Sequence, residues 1–138
     1  MVDASVLVKW FIQEPGTEAA LLLRDDFVAG DVELHAPSHA PFEVLDALRY
    51  STSCTEERCT QAQVALDGYG VKYHSLAGET ARRAINLAYA KNLSIYDAAY
   101  IALARGLETK VVTADLTLAR EGGSNTLLLS GYLSPEER

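Results

Sequence analysis

A chain of 138 residues with a formal net charge of −7 lies in the size range of one domain and needs neither a disulfide nor a structural metal to bury a core. Its balance of 49% apolar and 22% charged residues excludes a disordered chain. Its acidity excludes a broad basic surface for gripping nucleic acid, so any polyanion must be met locally, where a divalent cation held among acids reverses the sign.

In chain order, Met1-Val2 reads as a strand end that turns at Asp3-Ala4-Ser5 into a buried apolar helix over Val6 to Ile12. Glu14-Pro15-Gly16 breaks it, and Thr17 is expected to cap a helix in which Ala20, Leu23 and Phe27 recur near helical spacing. Asp31 to Ala36 is a short strand. Ser38 is the expected cap of a helix running through Glu43 to Tyr50, with Pro41 tolerated in its first turn. A polar segment, Ser51 to Thr55, leads into a helix to Asp67 that Gly68 and Gly70 close, and Val71 to His74 is the next strand.

Ala81, Ala84, Ile85 and Ala88 fall at the spacing of one buried stripe, which predicts an amphipathic helix over Gly78 to Lys91. Asn92 ends it. Ser94 caps a further helix, Ile95 to Arg105, with Gly106 at its C′ position. Lys110 to Thr113 is a strand, Ala114-Asp115 opens a short helix closed by Gly122-Gly123, and Thr126 to Leu129 is the last strand. About five strands alternating with helices imply one α/β domain over residues 1–138, with a mostly parallel sheet covered on both faces and a ligand site beyond the strands' carboxyl ends.

No apolar run approaches the roughly 20 residues that span a bilayer, and no basic segment leads into an apolar start, so a cytoplasmic protein is expected. Cys54 and Cys59 make no zinc site by themselves, and cytosolic thiols are usually reduced. His35, His39 and His74 share no ligand spacing and read as surface or packing residues; Trp10, Tyr96 and Tyr100 read as core or subunit-contact residues.

The acids carry the functional signal. Asp3 and Asp115 follow strands that, as parallel neighbours, would deliver both to one sheet edge, while Glu43 and Asp97 sit in the first turns of helices entered from that edge. Each alone is an ordinary turn or helix-start residue. Four carboxylates in one place repel and raise one another's proton affinity, which a hard cation relieves; an all-oxygen cluster suits Mg²⁺ or Mn²⁺. Ser5 and Thr113 place hydroxyls two residues from Asp3 and Asp115, Asp46 adds a fifth acid, and Lys9 interrupts an apolar run close to Asp3 as the best candidate for an RNA contact.

The segments Val2 to Phe11, Phe42 to Leu48, Ile95 to Ala104 and Val111 to Asp115 together resemble the four acidic motifs of PIN domains, most closely those of VapC-type toxins. The resemblance implies a Rossmann-like three-layer α/β/α fold and an endoribonuclease dependent on Mg²⁺ or Mn²⁺, with Asp3, Glu43, Asp97 and Asp115 as catalytic metal ligands. It also implies a VapB-like antitoxin as partner and a homodimer, for which the apolar helices Val6 to Ile12 and Thr17 to Phe27 offered support. Hydrolysis of single-stranded RNA by metal-activated water would leave 5′-phosphate and 3′-hydroxyl ends. The chain departs from its relatives in having only two residues before Asp3, an acid at Asp46 where Asn is frequent, and Pro41 in a stretch that is usually aliphatic.

The same alternation serves other chemistry. A phosphoacceptor receiver needs two adjacent early acids, and an aspartyl-nucleophile hydrolase needs a second Asp where Ser5 stands. A catalytically silent PIN-like module that binds RNA or protein is the alternative from another class.

Overall fold

A computed structural model describes all of residues 1–138. The sheet is parallel and narrow. Strand β1 (His35–Pro37) pairs with β2 (Lys72–His74), and β3 (Val111–Thr113) pairs with β4 (Thr126–Leu128). The two pairs are joined by the first extended segment. Val2 bridges Val112 in parallel, the Asp3 N–H donates to the Val112 carbonyl at 3.1 Å, and the Val2 N–H donates to the His35 carbonyl at 3.0 Å. The order is therefore β2, β1, Val2, β3, β4, and the predicted five strands survive as four three-residue strands around a one-residue bridge. Val111, Val112 and Thr113 are all buried; since successive strand residues point to opposite faces, both faces of the sheet are covered.

The helices are α1 (Ala4–Leu7), α2 (Thr17–Val28), α3 (Ala40–Tyr50), α4 (Glu56–Tyr69), α5 (Gly78–Lys91), α6 (Ile95–Gly106) and α7 (Leu116–Gly122). The expected continuous helix over Val6 to Ile12 is a single α-turn that tightens to 3₁₀ geometry at Val8–Trp10. Val6, Leu7, Val8 and Trp10 spend their apolar surface inside the core, with Ala20 and Leu23 of α2. Phe11, Ile12, Leu22 and Phe27 pack against that core only partly buried, and Val28 at the end of α2 is exposed. Trp10 donates its indole N–H to the Ala20 carbonyl at 2.9 Å, which fixes the first turns against α2.

Several helix ends depart from the sequence reading. Gly16, at φ +90°, is the cap of α2, and Thr17 is its first residue; the Thr17 hydroxyl instead accepts from the Glu14 N–H and donates to the Ile12 carbonyl. His39, not Ser38, precedes α3, because Ser38 gives its N–H to His74 in the sheet. The left-handed residue after α6 is Glu108 and not Gly106. In α5 the buried stripe is Ala84, Leu87 and Ala88, while Ile85 is 51% exposed. The cap of α6 is as expected, with Ser94 Oγ accepting from the Asp97 N–H at 3.0 Å. No helix is long and apolar enough to cross a membrane, and both cysteines are free.

Candidate functional site

Asp3 anchors the site at the point where the central bridge ends. It is only 6% exposed, an uncommon place for a carboxylate, and burial raises its proton affinity; the Ser5 and Thr113 hydroxyls offset part of that, and the charge of Glu43 adds to it. Both hydroxyls donate to Asp3 Oδ2, Ser5 at 2.6 Å and Thr113 at 2.8 Å. Each also accepts a backbone N–H from the neighbouring strand end, Ser5 from Ala114 and Thr113 from Asp115, both at 3.0 Å. They lock Asp3 to the backbone that carries Asp115, and each hydroxyl's one proton is already committed.

Asp115 caps α7, its Oδ1 accepting from Thr117 and Leu118 N–H at 2.8 and 3.2 Å. The ordinary role of an Asp at a helix start is thus fulfilled without using Oδ2. Asp97, in the first turn of α6, is held by Ser94, whose Oγ accepts its N–H and whose hydroxyl also favours its charged form. Its proton affinity is raised by partial burial and by the charges of Asp115 and Glu43. Glu43 therefore faces Asp3 on one side and Asp97 on the other, and Asp97 faces Asp115. The four acids form one electrostatically connected row across the carboxyl edge of the sheet, while no three of them are drawn to the spacing of a ligand shell.

Two neighbours of Glu43 were not singled out by sequence. Tyr100, fully buried, donates its hydroxyl to Glu43 Oε1 at 3.0 Å. His39 stacks edge-on against Tyr96 and Tyr100 and brings Nε2 to 3.0 Å from the same Oε1, without the alignment of a hydrogen bond. Helical spacing contained the signal: His39 stands four residues before Glu43, and Tyr100 three after Asp97. Tyr96, read as core or contact, is 63% exposed. Tyr100→Phe should cost about 1–3 kcal/mol in thermal unfolding and lower activity several-fold, since the carboxylate it orients is left free to turn.

Asp46 is exposed on α3, one helical turn beyond Glu43. Lys9, the candidate for an RNA contact, borders the site beside Ser5 and Asp115; it is 9% exposed and its ammonium donates to Glu14 Oε1 at 2.8 Å. His35 and His74 share a hydrogen bond of 2.8 Å across β1 and β2 as packing residues of the sheet.

The family model of the PIN domain matches residues 1–122. The chain belongs to the PIN-domain family. Over 126 residues it is 30% identical to a protein described as ribonuclease VapC3 from Pyrobaculum aerophilum, an alignment covering 88% of this chain and 92% of the relative. The Rossmann-like α/β/α arrangement of the PIN domain accounts for the parallel sheet and its covered faces. All four acids lie inside the matched residues.

Proposed function

We infer that this PIN domain is a divalent-metal-dependent endoribonuclease that cleaves single-stranded RNA, with Asp3, Glu43, Asp97 and Asp115 as its acidic centre. The carrying observation is the buried Asp3 carboxylate, whose neighbouring charge is another acid and whose proton affinity burial raises. A fold keeps such a group, at a cost to its stability, where function requires it.

The donor set fits the metal. Its free oxygens are carboxylate oxygens, with no thiol among them and one imidazole, His39, turned to Glu43; that is the chemistry of Mg²⁺ or Mn²⁺ and not of zinc. Asp3, Asp97, Asp115 and Glu43 would hold the ion. When bound, it supplies charge neutralisation for the phosphate and activation of water. The chain's own contribution is positional. Ser5 and Thr113 fix Asp3, the α7 amides fix Asp115, Ser94 fixes the first turn that carries Asp97, and Tyr100 fixes Glu43.

In this reading the single domain works in the cytoplasm as a VapC-type toxin, controlled by a VapB-like antitoxin and paired with a second copy of itself; the relative's name and the four motifs support it. The test is the chemistry of the product ends. Single-stranded RNA incubated with Mg²⁺ or Mn²⁺ should yield 5′-phosphate and 3′-hydroxyl ends, also where the adjacent 2′-hydroxyl is replaced by hydrogen, and chelation should stop cleavage. Cyclic phosphate ends, or cleavage indifferent to chelator, would overturn the reading.

A further inference from the structure

An open cleft of about 650 Å³ begins at Ser5 and Asp115 and runs past Ala47 to Tyr50, with Lys9 and Glu14 among its lining. It is continuous with the acidic centre, because Ser5 also holds Asp3. Its volume lies within the range of small-molecule sites, roughly 300–1,000 Å³. Tyr50 is seven residues beyond Glu43 on α3, so the two share a helix face about 10 Å apart along the axis. That places the ring one or two nucleotides from a phosphate held at the acids. Tyr50 is 76% exposed although aromatic, and the Arg49 guanidinium lies 5.5 Å from its ring centroid.

Charge decides what such a cleft takes. Its one cation, Lys9, is already neutralised by Glu14, and Asp115 adds a negative charge, so the cleft does not attract a phosphate. It offers instead an aromatic face, a small residue at Ala47 that leaves room over it, and an ammonium beside a carboxylate. Every nucleobase edge carries a donor next to an acceptor, which such a pair can meet without choosing among bases.

We propose that this cleft is a nucleotide subsite of the RNA-cleaving centre, in which Tyr50 stacks an unpaired base next to the scissile phosphate while Lys9 and Glu14 meet its polar edge. The proposal rests on the ribonuclease reading, which supplies the RNA. It also gives a chain of net charge −7 an attraction for single-stranded RNA that does not depend on neutralising phosphates, since every base has a face to stack.

The experiment measures binding of short single-stranded oligoribonucleotides to the full chain carrying Asp97→Asn, in Mg²⁺, by fluorescence anisotropy. Adding Tyr50→Ala should weaken binding about 5- to 100-fold, Tyr50→Trp should retain it, and Ala47→Leu, which fills the cleft, should weaken it in the same direction. Removing one base from the oligonucleotide should weaken binding at a single position, and that loss should vanish in the Tyr50→Ala background. The Tyr50-dependent part of the affinity should change little with salt. Equal affinity with and without the Tyr50 ring overturns the proposal, as does loss of a co-expressed protein partner with RNA binding intact, which would make the cleft a protein-docking surface. Cleavage by the otherwise unchanged chain is scored separately. RNA bound through Tyr50 but never cut would refute the hydrolase and leave the subsite standing, whereas RNA cut with no dependence of binding on Tyr50 would refute the subsite alone.

Discussion

Asp3→Asn is expected to abolish RNA cleavage and at the same time make the protein more stable. The amide is isosteric, and its oxygen can still accept from Ser5 and Thr113, so the hydrogen bonds that reach Oδ2 in the native chain survive. What disappears is a buried negative charge that faces Glu43. Relief of such a charge at a functional position typically contributes about 0.5–2 kcal/mol, or several degrees in the melting temperature of a chain this size. Activity should move the other way. Residues that merely support a metal ligand are worth about 10–100-fold, so loss of the carboxylate itself should cost at least about 100-fold. A variant that loses stability and activity together would indicate that Asp3 is a structural residue.

The second large effect is an inverted pH dependence. In the folded chain Asp3 and Asp97 both hold their protons above the ordinary aspartate value of 3.8. Between that value and the raised ones, the folded state binds more protons than the unfolded state, so stability falls as pH rises through the window. The penalty is complete above the raised values and gone below 3.8. Surface acids such as Glu33 and Glu79, whose proton affinity is lowered by Lys72 and Arg82 respectively, act in the opposite sense and mask the effect in a simple melt. The difference between the native chain and Asp3→Asn cancels them. In metal-free buffer the variant's advantage should be greatest near pH 7 and shrink towards pH 4. An advantage that stays constant or grows on acidification would contradict a raised proton affinity at Asp3.

The parts of this molecule legible in its sequence are those whose signals are local. Ser94 marks the start of α6 because a cap and the N–H that donates to it are three residues apart, and the four carboxylates stand out because each is set in a recognisable apolar frame. The first strand was hard to delimit because it reduces to Val2, whose pairing with Val112 depends on residues 110 positions away. Ile85 kept the helical period yet faces out, since the width of the α5 stripe is set by what α6 presents to it. The partner of Lys9 was not legible, because nothing in a linear reading pairs it with Glu14 across a turn. Taken singly, His39 reads as a surface or packing residue and Tyr100 as a core or subunit-contact residue, although their spacing to Glu43 and Asp97 puts them on the same helix faces as those acids.

Calorimetric titration of the metal-free protein with Mn²⁺ decides whether the four acids make a metal site. Uptake of one or two ions at neutral pH is expected, weakened by at least about 10-fold in both Asp3→Asn and Asp97→Asn, with the melting temperature of the native chain rising as the ion is added. Absence of uptake, or uptake identical in all three proteins, would contradict a metal site built from these acids.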